Sequence, residues 1–405
     1  MESSRTSDGR GLAKLLGNDI ARACPMVSLP RPFPAYKEGS FASFTVTQRL
    51  PKIMQEVVQQ FDDGARSDPR WSDLLSAISV GDEIDTHMLL DTTPFWRSLV
   101  SRLRGKRWAD LSFFELEFLF YHALNSIASD LIPGFDVFAA SRLTALTTAL
   151  PSVAHAMDFN PSISLNSALL LALSGNEADL SQLARAEQGQ PRLQLIVDER
   201  PEIIDRLRVS RGDGTIHLLA DNAGAELCFD LVLVDVLLSM RNGPVVVHLK
   251  PWPMFVSDAL VSDVESTLDA FLHHRSRRLV DLGQRLRLAL ESGRLLLRDP
   301  DDWGEPRHMN MLDPELSGTL NASDLVLAKG DLNYRRFFED RAWPPDSAIA
   351  EASVAANIVA FSLRILKSDL VVGLPRRIVF ELLDEDPDWR TNGTQALIQR
   401  IDRCG

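Results

Sequence analysis

Between residues 190 and 250 the chain alternates two kinds of apolar segment, and this alternation restricts its fold more than any other feature. LQLIVD (193–198) and TIHLLAD (215–221) are short runs bounded by charge, Gly or Pro. LCFDLVLVDVLLSM (227–240) is long enough for a helix, and PVVVHLK (244–250) is again short, closed off by Gly243–Pro244 and Pro251. Short apolar runs between turn signals fit strands, and longer ones fit helices. A strand–helix–strand order implies a parallel pair joined by a right-handed crossover. Further along, SDLVLAKG (323–330) reads as a strand, ANIVAFSLRILK (356–367) as a helix and SDLVVGLP (368–375) as a final strand. The pattern predicts an α/β fold with a doubly wound, mostly parallel sheet in three αβα layers. Ligands of such folds bind beyond the carboxyl ends of the strands.

The first half of the chain follows a helical period. PKIMQEVVQQF (51–61) opens with Pro51 at a first helical position and carries Ile53, Met54, Val57, Val58 and Phe61 at helical spacing. LSFFELEFLFYHALNSIASDLI (111–132) is apolar nearly all round, as a buried helix would be, with Asp110 or Ser112 available as its cap. Residues 143–186 read as further helices. The expected organisation is a poorly ordered lead over 1–40, an all-helical subdomain over 41–190, and an α/β catalytic domain over 191–405.

Charge and cysteine usage narrow the partners. A formal net charge of -13 argues against a nucleic-acid binder, which needs a basic face to neutralise phosphates. It leaves room for a small anionic substrate, because a few cations or a metal in a cleft reverse the local field. Cys24, Cys228 and Cys404 are too scattered for a zinc site or disulfide framework, which fits a reducing, cytoplasmic compartment. The sequence has no secretory apolar region, no uninterrupted apolar stretch long enough to span a membrane, and no GxSxG, HExxH, P-loop or GxGxxG motif.

Three polar clusters fall at expected strand ends. DNAGAE (221–226) follows TIHLLA and opens a helix. Asp221 and Asn222 offer hard oxygen donors of the kind Mg²⁺ or Mn²⁺ takes, Gly224 permits a tight turn, and the new helix presents free N–H groups. The same residues also suit a plain helix cap. HLKPWPMFVSD (248–258) follows the next strand and brings Lys250 as an anion partner and Asp258 as a second carboxylate, or Asp258 as a cap. KGDLNYRR (329–336) places Lys329, Asp331 and Asn333 at a third strand end, with Gly330 allowing close approach; an ordinary glycine turn is the alternative. In RILK (364–367), Arg364 and Lys367 at the end of an expected helix share one face, either as anion partners or as dipole partners. His248, inside an apolar strand, is read as a core residue.

In combination, DNAGAE, FVSD and KGDLNYRR resemble the damage-control phosphatase family, subfamily III, also called the acidic-residue (protein-glutamate) methyltransferase-like metal-binding family. The likeness runs over roughly 41–395. RLPKIMQEVV looks like the family's N-terminal helix, ELEFLFYHAL stands at its Glu-Cys-Tyr-x-Tyr-Arg-Arg helix, LALSGNEADLS at its Leu-Trp-Gly-Asn segment, RILK at its Arg-Thr-x-Lys motif, and DPDWRTNG at its closing segment. The resemblance implies a divalent metal (Mn, Co, Ni or Mg) held by Asp221, Asn222 and Asp258. It implies substrate contacts from Gly330, Asp331, Leu332, Asn333, Tyr334 and Lys367, with Lys329 at the phosphate, Glu226 in the cleft and Asn176 reaching toward the metal site.

The implied activity is hydrolysis of phosphate monoesters of sugars or related small phosphorylated metabolites. A protein-carboxyl methyltransferase using S-adenosylmethionine, and a metal-dependent lyase or isomerase of specialised metabolism, are the alternatives. Ser174, His122, Ala123 and Ile365 depart from the family pattern. They are expected to line the pocket from the helical side and to change the substrate.

Overall fold

The computed structural model describes residues 29–90, 92–159, 162–175, 193–210, 212–355 and 358–402. Its centre is one seven-stranded sheet built from β1 (Gln194–Asp198), β2 (Ile216–Leu219), β3 (Val245–His248), β4 (Leu295–Arg298), β5 (Leu325–Lys329), β6 (Ala360–Ile365) and β7 (Gln395–Ile401). The order is β1-β7-β6-β5-β2-β3-β4. β4, β3, β2, β5 and β6 are mutually parallel; β7 runs antiparallel to β6, and β1 is parallel to β7. The chain leaves β2 for β3 on one side, whereas β5 and β6 lie on the other. The order therefore reverses between neighbours β2 and β5, which is where an open α/β sheet opens a crevice for ligands.

Both faces of the sheet are covered, so its inner strands are apolar on both sides, as parallel strands must be. Leu218, Val245, Val247, Leu325, Leu327 and Phe361 face the Ala225–Met240 helix and its neighbours. Val326, Ala328 and Ala360 face the other core, with Tyr334, Phe337 and Trp389. The Ala225–Met240 helix carries apolar residues on every side because it lies between the sheet and the helices Ala139–Phe159 and Leu165–Ser174. A separate core joins residues 35–138, with Met254 from the loop after β3 and Leu332 from the helix after β5 packed into it.

The Phe113–Leu131 helix is the axis of that first core. Ser112 caps it: its Oγ accepts from the Glu115 N–H, and the Glu115 carboxylate accepts from the Ser112 N–H at 3.0 Å. The helix carrying Pro51 starts earlier than the proline suggests. Its first turn begins at Phe41, widens into a π-helical turn over Thr45–Arg49, and continues as Leu50–Val58. Part of the lead is extended: Phe33 bonds Asp340 and Phe113 through its backbone, stitching 29–40 between the two halves of the chain.

Two expectations for the C-terminal part are corrected. The stretch read as a helix, 356–367, contains β6, and the stretch read as a final strand, 368–375, is a loop. AFSLRI is buried on both faces, so it shows no alternation, and a short continuous apolar run does not separate strand from buried helix. In the loop, Leu370, Val371 and Val372 are buried, but their backbone turns; Gly373 sits at φ 81°. β4 and β7 were not read from the sequence, and β7 supplies the antiparallel edge of β6. Among the described residues no helix is long and apolar enough to cross a membrane.

The Ser112 cap gives a direct test of how the first core is anchored. Ser112→Ala should lower stability by about 1 kcal/mol, read as a lower urea midpoint at unchanged slope. An unchanged midpoint would show that burial of the helix holds this end without its cap.

Candidate active site

The polar residues at the ends of β2, β3 and β5 converge. After β2 the chain runs through Ala220, Asp221 and Asn222 to Gly224, at φ 71°, where a Cβ would lie 2.9 Å from Ala145 Cβ. After β3 it loops out and returns. The Ala259 N–H bonds the Asp221 carbonyl at 2.9 Å, the Ala223 N–H bonds the Ser257 carbonyl at 2.7 Å, and the Lys250 N–H bonds the Ala259 carbonyl at 3.0 Å. This zipper pairs Asn222 directly with Asp258. Gly330, at φ 76°, lets the start of the third segment press against Asp221: a Cβ there would sit 1.8 Å from Asp221 Oδ2.

The result is a cleft of about 340 Å³. Asp221, Asn222, Glu226, Asp258, Gly330, Asp331 and Lys367 line it. Asp221 and Asp258 are buried. Burial, then the nearby Glu226 and Asp258 carboxylates, push the Asp221 carboxyl well above its ordinary range. Burial also raises Asp258, against the pull of Lys250. Lys250 Nζ stands 3.6 Å from Asp258 Oδ2, an ion pair too long for a hydrogen bond, and that oxygen is buried with no hydrogen-bond partner among the described residues.

Other expected site residues lie behind this wall. Lys329 Nζ is turned away from the cleft and bridges Glu226 Oε1 at 3.0 Å and Asp230 Oδ1 at 2.6 Å. Burial alone would lower its pKa, but the two carboxylates raise it. Burial in turn pushes the Asp230 carboxyl up to about 7, against the pull of Lys329. Asn333 donates to the Leu219, Ala220 and Lys329 carbonyls and so clamps the end of β2 to that of β5. The Tyr334 hydroxyl bonds Gln399 and Val372 in the core. Arg364 lies in a strand, not in a last helical turn, so it does not share a helix face with Lys367. It is fully buried, caps the Leu370 carbonyl, and pairs with Asp331 Oδ1 at 2.6 Å. Asn176 lies outside the described residues. His248 is in the core, bonded to His217 Nδ1 at 2.8 Å and to Trp303 Nε1 at 3.1 Å.

The donor set fits a divalent cation, with one adjustment. Two buried carboxylates, one with an unpartnered oxygen, suit a hard metal ion. The Asn222 amide presents its nitrogen to this group, donating to Asp221 Oδ2 at 2.9 Å and to Glu226 Oε2 at 3.0 Å, while its oxygen accepts from Ser257 Oγ at 2.6 Å. Ligation by Asn222 therefore requires the amide to turn over. Among the described residues no three His, Cys, Asp or Glu side chains form a metal-holding group; Asp221, Asp258 and Asn222 remain the candidate ligands.

The helical part supplies a wall that the sequence reading passed over. Phe41, Thr45, Arg49, Leu50 and Ile53 line the cleft from the helix that runs into Leu50–Val58, and Glu117 and Tyr121 from Phe113–Leu131. Arg335 joins the two walls: it pairs with Glu117 at 2.7 Å and bidentately with Asp340 at 2.9 Å. Glu117 could have been suspected, as a lone carboxylate inside an apolar helix. Of the four departures from the family pattern, only Ile365 lines the cleft. His122 and Ala123 are buried in the helical core, His122 stacked on Trp96 at 3.7 Å, and the Ser174 hydroxyl turns back onto its own helix. The expectation that these positions line the pocket is corrected for His122, Ala123 and Ser174.

A family model described as "Damage-control phosphatase ARMT1-like domain" matches residues 45–382. The chain is 28% identical to damage-control phosphatase ARMT1 of Danio rerio, over 91% of this chain and 96% of that one. It is 25% identical to the Xenopus laevis protein of that name (89% and 96%) and 24% identical to the human one (92% and 99%). Among solved structures, a DUF89 family protein from Pyrococcus horikoshii superposes with a TM-score of 0.48 at 16% identity, over 88% of this chain and 96% of that chain. The match to the family model takes in the strand-end clusters and most of the helical wall, and the chain belongs to the ARMT1-like damage-control phosphatase domain family.

Proposed function

We propose that the cleft hydrolyses phosphate monoesters of small metabolites with the help of a divalent metal, Mn²⁺, Co²⁺, Ni²⁺ or Mg²⁺, held by Asp221, Asn222 and Asp258. The observation that carries this reading is the buried pair of aspartates at adjacent strand ends, with one Asp258 oxygen lacking a hydrogen-bond partner among the described residues. Like charges in a low-dielectric site repel, and a bound cation removes that penalty. A metal of this class would polarise the phosphoryl group and lower the pKa of an attacking water. The relatives' name, damage-control phosphatase, supports the same reaction class.

The chain's own groups have separable tasks in this reading. Lys367 is exposed on the cleft wall and makes no ion pair among the described residues, so it is free to offset charge on phosphoryl oxygens. The Gly330–Phe337 helix starts at the cleft, with backbone N–H groups suited to an anion. Lys329, held by Asp230, fixes the Glu226 side chain beside Asn222. Asp331 is held in turn by Arg364 and by Ser368 Oγ at 2.8 Å.

Phosphate release from a panel of phosphorylated metabolites, with each metal added to stripped protein, tests the reaction. Release should depend on metal, and Asp258→Asn should reduce it by more than about 100-fold, the upper effect of losing a mere supporting group. Release that persists in metal-free buffer or in that variant would remove the metal assignment. Lys367→Ala should lower kcat/KM by about 100-fold, while the denaturation midpoint shifts by no more than about 0.5 kcal/mol, as at an exposed position. Wild-type turnover in Lys367→Ala would place the phosphoryl group elsewhere in the cleft.

A further inference from the structure

Most of the charged side chains on the cleft wall are in ion pairs, and Asp221 instead holds the Asn222 amide. Glu117 pairs with Arg335, Glu226 with Lys329, Asp258 with Lys250 and Asp331 with Arg364. Among the described residues, two cations of the wall, Lys367 and Arg49, make no ion pair. Lys367 comes from the loop after β6 and belongs to the phosphoryl end. Arg49 comes from the helical wall, where nothing in the proposed reaction uses it.

Thr45 lies one turn before Arg49 and lines the same cleft. It is 2% exposed, and its hydroxyl has no hydrogen-bond partner among the described residues. A helical threonine normally bonds back to the carbonyl four residues earlier, as Thr47 does to Ser43 at 2.8 Å. Thr45 does not, although an unmade hydrogen bond is costly in a buried place. Both residues sit in the π-helical turn Thr45–Arg49, in which the Leu50 N–H reaches the Thr45 carbonyl. Pro51 follows directly; it has no N–H to give to the preceding turn, and its ring crowds the carbonyl four residues back. Widened turns of this kind recur at functional sites. The widening sets Phe41, Thr45, Arg49, Leu50 and Ile53 together along the cleft.

We propose that Thr45 and Arg49 form a second anion-binding subsite, so that the substrate is a phosphate monoester whose alcohol carries another acidic group, a carboxylate or a second phosphate. The phosphoryl end rests on the phosphatase reading; the second group rests on the helical wall alone. The guanidinium and the threonine hydroxyl both donate, and both fit anionic oxygens.

The test compares matched ligands of the full chain by calorimetry in Mg²⁺ buffer. 3-Phosphoglycerate differs from glycerol 3-phosphate only in a carboxylate for a hydroxymethyl group, and propane-1,3-diol bisphosphate offers a second phosphate instead. One of the two doubly acidic esters should bind at least about 10-fold more tightly than glycerol 3-phosphate, and which one does so identifies the second group. Arg49→Gln should erase most of that preference, and Thr45→Val should reduce it about 3-fold. Thr45→Val should leave Tm equal or higher, because it removes an unpartnered buried hydroxyl, so weaker binding would not be a folding effect. Equal or undetectable binding of all three esters overturns the proposal. So does a preference that survives Arg49→Gln, or variants that weaken all three esters equally. A preference that Arg49→Gln abolishes in a protein that releases no phosphate keeps the subsite and removes the phosphatase reading.

Discussion

The structure depends on how a group of buried carboxylates is kept apart and compensated. Asp221, Glu226, Asp230 and Asp258 are buried at the ends of β2 and β3 or in the helix between them, with Lys250 and Lys329 as their close ammonium partners. Taking such charges out of water is unfavourable unless each is paired and hydrogen-bonded. The chain meets that requirement unevenly. Lys329 serves Glu226 and Asp230 at short range, whereas Lys250 stays at ion-pair distance from Asp258. Asp221 has the Asn222 amide and the repulsion of two neighbours. Asp230 Oδ2 likewise has no hydrogen-bond partner among the described residues, but its Oδ1 is tied to Lys329 at 2.6 Å, whereas the two aspartates that face the cleft have no such short ammonium contact. This is the physical case for a cation at that spot and not at Asp230, whose carboxylate is already tied to a lysine.

A second set of interactions holds the helical wall over these strand ends. Arg335 lies between Glu117 and Asp340 and over the rings of Phe113 and Phe114. Arg336, next in the chain, donates to the Trp303, Glu305 and Arg307 carbonyls, and burial brings its pKa down to about 9. The pair extends from the helix that begins at Gly330, so the turn that presses on Asp221 also fixes the roof of the cleft. Geometry at the carboxylates and the position of the helical wall are therefore set by one short helix.

These arrangements were legible in the sequence to different depths. Asp221, Asn222, Asp258 and Gly330 could be placed because polar residues directly after apolar runs stand at strand ends, and that rule is local. The side to which a residue turns is not local. Lys329, Asn333 and Tyr334 stand at the strand end expected of them, with a helix over Gly330–Phe337 in place of the expected loop, and they point to Asp230, to the β2 carbonyls and to Gln399, partners about 65 to 114 residues away. β6 was misread because full burial erases the alternation that identifies a strand, and with it Arg364 was assigned to a helix end. Thr45 and Arg49 gave no signal: a hydroxyl without a partner and an unpaired cation are visible only once their surroundings are known.

The departures from the family pattern sort by the same criterion. His122 has apolar and aromatic neighbours, Trp96 and Trp252, and burial lowers its pKa to about 4, so it is a neutral ring bonded to the Leu90 carbonyl. A change at this position alters packing inside the helical core and leaves the cleft wall as it is. Ile365 faces the cleft beside Lys367 and replaces a hydroxyl with a hydrocarbon surface. In the proposed reading it therefore removes a hydrogen-bond donor beside Lys367 without touching the carboxylates. In that proposed reading the strand ends supply the groups for the chemistry, and the helical wall, with its widened turn, supplies groups that the chemistry leaves unused. A substrate can change at the second without disturbing the first.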